Sequence, residues 1–276
     1  MTNIQWTNQS DNPVKVVGGG YWCEKVSPGC KNCYAETINN NSFFGGNKLP
    51  YQGNPPELYL DEELISSWQR QRKPKLHFVS SMTDIFGEWI PLDWQQKILK
   101  GMWDAQLKSG QIFQILTKRP EVAAISCRKF MIDYKLKKMP INTWIGVSIE
   151  NKKYLERSNI LAQTPCNRFW SCEPLLEDLG DIKSRIYKDD IKWVIVGGES
   201  GKNARVFCTQ WAENIISQCQ ELNIPVFVKQ LGSDPIKPLC NSRLVSYLEI
   251  NLKDKKGGDW DEWDENLKIR EFPEWY

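Results

Sequence analysis

Histidine is almost missing from this chain: His77, inside LHFVSS, is the only one in 276 residues. Ser-His-Asp triads, His-rich zinc sites and di-iron carboxylate-histidine sites all lack parts here. A dominant charge is missing as well. The 36 lysines and arginines face 34 acids, a formal +2, far from the basic balance of a dedicated nucleic-acid binder, so any polynucleotide contact has to be local. No apolar run approaches the roughly 18–20 residues that cross a bilayer, and the opening MTNIQWTNQSDNP has neither a basic n-region nor an apolar h-region. The expectation is a cytoplasmic protein that does not engage a membrane. Internal repeats and low-complexity blocks are also absent.

What is present is an ordinary globular composition, 41% apolar and 25% charged, which excludes a disordered tail or a disulfide-stapled module. Nine cysteines, an odd number in a chain expected to sit in a reducing compartment, point to metal binding or thiol chemistry before a disulfide framework. Short β-branched and aromatic runs predict strands at 76–81, 112–117, 143–148, 168–172, 193–196 and 225–229, with a shorter first strand at 14–17. Helices are expected between them: 61–71, 94–107 capped by Asp93 with Gln96 in a capping box, 120–134 from Pro120, 151–162, and 210–222 capped by Thr209. Strand alternating with helix predicts an α/β fold, a complete or partial (β/α) TIM-like barrel over residues 1–250. Residues 251–276 are then a C-terminal capping tail.

In such a barrel the C-terminal strand ends form the working face. The polar residues there are SSMTD at 80–84, TKRP at 117–120, SIEN at 148–151, CEP at 172–174, GGESG at 197–201 and KQ at 229–230. Glu150 and Glu173 are expected to face a polar cavity, to bind ribose or amino groups, or to pair with Lys118, Arg119 or Lys229, because an enclosed carboxylate without a partner is costly. Ser80, Ser81 and Asp84 read either as ligand contacts or as a cap on the following turn. Lys118 and Arg119 before Pro120 read as a phosphate or carboxylate receiver, or as an ion pair. Gly197 and Gly198 allow a tight turn or the close approach of a ligand.

The strongest local signal is WCEKVSPGCKNCYAE, where Cys23, Cys30 and Cys33 are brought round by the Ser27-Pro28-Gly29 turn. A structural zinc or an electron-transfer cluster normally takes four protein ligands, whereas three leave an open coordination position. A 4Fe-4S cluster on three cysteines has one iron free to be chelated by S-adenosylmethionine. The other reading is a zinc loop completed by an Asp, a Glu or a fourth thiol, which makes the chain a nucleic-acid or protein interaction module without catalysis. Cys127, Cys219, Cys166 and Cys240 read as structural; Cys172 and Cys208 lie where they can reach a cavity.

This motif resembles the radical S-adenosylmethionine superfamily. Over nearly its whole length the chain is similar to a phage-associated family of radical-SAM-like proteins, through IQWT, NPV, VSPGCKNCYAE, SSMTDIFGEWIP, ILTKRPE, WIGVSIEN, SCEPLLEDLG, WVIVGGESG, ARVF, FVKQLG and KIREFP. It departs from the superfamily in having six residues rather than three between the first two cysteines. Asn32 stands where an aromatic residue usually precedes the third cysteine, which gives that place to Tyr34, and Gly197-Gly198-Glu199 follows a late strand rather than the second. The resemblance implies a 4Fe-4S cluster on Cys23, Cys30 and Cys33. It implies S-adenosylmethionine held by Tyr34, Ser81, Asp84, Ser148, Glu150, Gly197, Gly198 and Glu199. Substrate contacts fall to Lys118, Arg119 and Lys229, and catalytic roles to Cys172 and Glu173. The expected partners are a small-molecule, nucleotide or DNA substrate and an external electron donor, in the host cytoplasm if the chain is phage-encoded.

Overall fold

The computed structural model describes residues 4–239 and 246–275, so Cys240 lies outside the described residues. In chain order the elements are β1 (Gln9–Asp11), β2 (Val14–Val16), α1 (Tyr34–Asn39), β3 (Leu58–Leu60), α2 (Glu62–Trp68), β4 (Leu76–Val79), α3 (Leu92–Ser109), β5 (Ile112–Thr117), α4 (Pro120–Asp133), β6 (Thr143–Ser148), α5 (Glu156–Leu161), β7 (Asn167–Cys172), α6 (Lys183–Lys188), β8 (Ile191–Gly197), β9 (Phe207–Cys208), α7 (Thr209–Glu221), β10 (Val226–Gln230), β11 (Pro235–Leu239) and β12 (Ser246–Glu249). Seven strands are ordered β1-β4-β5-β6-β7-β8-β10. This is a mixed α/β fold with a seven-stranded parallel sheet, consistent with a partial β/α barrel. No helix among the described residues is long and apolar enough to cross a membrane.

The described residues group into two compact units. The first runs to Val147 and adds Asn159–Arg168 and Trp275. In it β1 pairs parallel with β4, β4 with β5, and β5 with β6. The expected first strand at 14–17 is corrected: β2 lies outside the parallel sheet and pairs antiparallel with β3. The sheet begins instead at β1, whose sequence Gln-Ser-Asp has no β-branched residue to mark it. The expected cap of α3 is corrected too. The Pro91 carbonyl accepts from Trp94 N–H and Gln95 N–H, which starts the helix at Leu92 and puts Asp93 inside its first turn. Gln96 makes no capping box; its amide donates to the Ser126 carbonyl at 3.0 Å. Cys208, not Thr209, occupies the N-cap position of α7.

The single histidine anchors this unit's core. His77 is fully buried, with Nδ1 2.6 Å from Asp11 Oδ2 and Nε2 3.0 Å from Gln111 Oε1. The Gln111 amide nitrogen donates to the Lys73 and Ser109 carbonyls, so its oxygen is the atom that faces the ring. Asp11 also accepts from Trp68 Nε1 at 3.0 Å and from Gln9 Nε2 at 2.8 Å. A polar edge strand is thus held on β4 by a satisfied buried network rather than by apolar packing.

The second unit comprises Ser148–Ser158 and Phe169–Glu274. In it β10 pairs parallel with β8, with a register shift between Val228 and Gln230. A small sheet is ordered β12-β11-β9. The 251–274 segment runs along β8 and β10. Trp193 Nε1 donates to the Glu271 carbonyl at 3.0 Å, Phe272 stacks on Trp193, and Arg270 lies over the rings of Phe227, Trp260 and Trp263.

Removing one member of the Asp11–His77 pair leaves the other buried without its partner, a loss of roughly 3–5 kcal/mol. Urea denaturation of Asp11→Ala and of His77→Ala is expected to show that drop at an unchanged m-value. A loss below ~1 kcal/mol, as for an exposed pair, contradicts a core role for the network.

Candidate functional site

The cysteine segment joins β2 to β3 in the first unit. Pro28–Cys30 forms one 3-10 turn, and Cys33 is the N-cap residue of α1, so the third thiol sits where the chain enters a helix. Cys23, Cys30 and Cys33 are all free thiols and all half-buried. Cys23 and Cys33 pack against a small core of Val16, Trp22, Ala35, Tyr51 and Met82.

Two phenols bolt this segment to the loop after β4. Tyr34 donates to the Ser81 carbonyl at 2.8 Å, and Tyr51 donates to the Met82 carbonyl at 2.9 Å. Tyr51 N–H reaches Glu36 Oε1 at 3.0 Å, and Lys25 pairs with Glu36 at 2.5 Å. Ser81 itself is drawn to β1 and the turn after it: its hydroxyl takes part in hydrogen bonds with Ser10 at 2.7 Å and with Asn12.

Asp84 carries the junction between the ends of β4 and β5. It is buried, and its carboxylate accepts from Thr117 Oγ1 at 2.8 Å, Lys118 N–H at 3.0 Å and Phe86 N–H at 3.0 Å. Arg119 Nη1 lies 3.5 Å from the same carboxylate. Arg119 also reaches Glu88 at 2.9 Å, Glu24 at 3.4 Å and the Glu24 carbonyl at 3.3 Å, and its guanidinium lies over the Trp89 ring. Trp89 meets Trp22 edge to face. Arg119 therefore ties the residues on both sides of Cys23 to the strand ends. Arg119, one of the expected substrate-binding pair, is buried and ion-paired with Asp84, Glu88 and Glu24.

The remaining strand-end residues belong to the second unit. The Glu150 carboxylate is fully buried and pairs with Arg157 at 2.7 Å; Arg157 also donates to the Ser148 carbonyl at 2.8 Å and lies over Tyr154. Glu173 pairs with Lys229 at 2.5 Å. Glu199 is gripped by Arg205 through Nε at 2.9 Å, Nη2 at 2.5 Å and the backbone N–H at 3.0 Å. A Cβ at Gly198 would lie 2.3 Å from the Leu231 carbonyl oxygen, so close backbone packing requires glycine there. At Gly197 it would meet the Glu173 side chain at 3.4 Å.

A family model described as a protein of unknown function, DUF5131, matches residues 1–265. The chain belongs to the DUF5131 family. No curated protein and no solved structure matches it.

Electrostatics separates the three motif thiols of this DUF5131 chain. Burial, with Asp84 close by, pushes the Cys23 thiol up to about 12. Burial also raises Cys33. At Cys30 burial acts in the same direction but is outweighed by Lys118 and by hydrogen bonds from Val26 and Ser27, leaving the thiol below its ordinary value. Charge on Cys33 raises Cys23 and charge on Cys30 raises Cys33, so neighbouring thiols of the three act on one another in turn. Among the described residues no three or more His, Cys, Asp or Glu side chains are arranged to hold one metal ion. Cys172 is fully buried, with burial first and Cys219 next raising its thiol well above the ordinary range.

Glu24, Glu88, Trp89, Tyr51, Arg157 and Arg205 complete these networks and were not foreseen. The ARVF run contains Arg205, and EKV follows Cys23, but nothing local marks either as a partner of a distant strand end. Polar atoms of Ser80, Thr83 and Trp89 around this junction are buried without a hydrogen-bond partner.

A lowered thiol pKa means that thiolate is present at lower pH. In metal-free, reduced protein at pH 7.5, limited alkylation with peptide mapping is expected to label Cys30 first and Cys23 last. Equal rates at the two positions contradict the assigned electrostatics.

Proposed function

We propose that this DUF5131 chain is a radical S-adenosylmethionine enzyme of partial (β/α) barrel type, with a 4Fe-4S cluster on Cys23, Cys30 and Cys33. The observation that carries the reading is the placement of three free thiols on one segment bolted to the loop after β4 by Tyr34 and Tyr51 and to the end of β5 by Arg119. The donor set is all sulfur and fits the group. In a cubane each cysteine binds a separate iron, so the ligand sulfurs stand farther apart than donors sharing one ion.

Such a cluster supplies an electron that splits a carbon–sulfur bond of S-adenosylmethionine, giving methionine and a 5'-deoxyadenosyl radical. The chain's own residues hold the ligand segment and exclude water from it. Tyr34 and Tyr51 fix its height on the loop after β4, Arg119 and Trp89 fix the Cys23 end, and Trp22 closes its apolar side. Unpartnered donors on Ser80 and Thr83 offer hydrogen bonds to a polar ligand beside Asp84. Ser148, Glu150, Gly197, Gly198 and Glu199 keep their proposed cofactor role only where Arg157 and Arg205 give way or share their carboxylates. The proposed substrate is a nucleotide or DNA base, in the host cytoplasm of a phage, with an external electron donor.

Anaerobic reconstitution with iron and sulfide tests this. The wild-type protein is expected to retain about four irons and four sulfides per chain and to form 5'-deoxyadenosine on reduction with S-adenosylmethionine. Alanine at Cys23, Cys30 or Cys33 should each abolish both. A colourless protein holding one tight zinc, or full iron in all three variants, overturns the assignment.

A further inference from the structure

Helix α1 carries Cys33 at its N-cap and leads over six residues, about 9 Å of rise, into an exposed turn that the site described above does not use. This turn, Asn41 to Lys48, is pinned by amides. Asn39, 1% exposed, donates to Asn47 Oδ1 at 2.6 Å and accepts from Tyr21 N–H at 2.8 Å. Asn47 in turn donates to the carbonyls of Gly19 at 3.1 Å and Tyr21 at 3.2 Å. Asn41 accepts from Phe43 N–H at 2.9 Å, and Gly45 closes the turn in the left-handed region at φ 75°. A Cβ at Gly46 would lie 2.1 Å from the Asn39 carbonyl oxygen, so the two backbones are pressed together there.

All this fixing presents two phenyl rings to water. Phe43 is 89% exposed and Phe44 66%, with ring centres 5.5 Å apart and planes at 82°. Burial cannot account for either ring, and a rigid turn that displays paired aromatics marks a contact surface. The chemistry around them selects the partner. Residues 37–56 contain no aspartate or glutamate, six asparagines and glutamines, and one charge, Lys48. Lys31, three residues before α1 begins, is exposed as well. The acid between Lys31 and the turn, Glu36, is already paired with Lys25, so a surface of aromatic faces, amides and lysines complements a chain of bases and phosphates.

We propose that the Phe43–Phe44 turn is a binding edge for single-stranded nucleic acid, whose bases stack on the two rings while Lys31 and Lys48 meet its phosphates. This names the substrate class of the site proposed above and rests on that reading for its catalytic meaning; the binding itself needs no cluster. A net charge of only +2 agrees with a local contact whose affinity comes mainly from stacking.

The test is fluorescence anisotropy of a labelled mixed-sequence 20-mer oligodeoxynucleotide with the full chain, each preparation also assayed for iron and sulfide. Phe43→Leu and Phe44→Leu are each expected to weaken binding about tenfold or more, because leucine keeps the apolar volume and loses the π-face. Phe43→Tyr and Phe44→Tyr should bind as wild type does. Replacing Lys31 and Lys48 together by glutamine should make the log–log salt slope shallower by about 1.4. Thermal midpoints should not move, since neither ring is packed. Leucine variants that bind as wild type, no oligonucleotide binding by wild type, or ring-dependent binding to anionic vesicles in its place would overturn the proposal. Full iron content without oligonucleotide binding overturns this surface alone; binding without iron overturns the catalytic reading alone.

Discussion

A carboxylate taken out of water loses several kcal/mol of hydration unless donors replace it, and Asp84 is satisfied by donors drawn from several places in the chain. Thr117 and Lys118 come from the end of β5, Phe86 from its own loop, and Arg119 from the start of α4. That one group therefore decides the spacing between the ends of β4 and β5. Everything in the cysteine segment is referred to this spacing, because Tyr34 and Tyr51 hang from Ser81 and Met82 on one side and Arg119 holds Glu24 on the other.

The consequence is a thiol-bearing segment that is fixed at its ends and graded in between. Cys23 sits in the dry part, beside Trp22 and Asp84; Cys30 sits at the turn, beside Lys118 and Ser27. As the proposed ligand set, these are one thiol that ionises readily and two held protonated until something positive replaces the proton, which is how metal binding couples to thiol ionisation. The second unit uses a different economy. Its strand-end carboxylates are matched within the unit, Glu150 by Arg157, Glu173 by Lys229 and Glu199 by Arg205, so each has a cationic partner from its own unit.

Much of the fold was legible because buried parallel strands announce themselves as apolar runs: β5 and β6 fall where ILT and TWIGVS predict them. β1 was not legible, since Gln-Ser-Asp reads as loop and is a strand only through Asp11's partners His77 and Trp68, which lie more than fifty residues away in sequence. The same distance hides the site's wiring. The spacing of Cys23, Cys30 and Cys33 is a local signal, whereas Arg119 meeting Glu24, or Arg205 meeting Glu199 instead of leaving it to a ligand, depends on where the chain returns. Gly198 was visible as a glycine, but its reason, the Leu231 carbonyl against its Cα, is tertiary.

The central claim is that three sulfurs leave one iron open to a small molecule, and low-temperature electron paramagnetic resonance of the dithionite-reduced, reconstituted protein addresses it directly. The account predicts a 4Fe-4S signal whose g-values shift when S-adenosylmethionine is added. A signal indifferent to S-adenosylmethionine, or no iron signal at all from a protein that carries zinc, contradicts it.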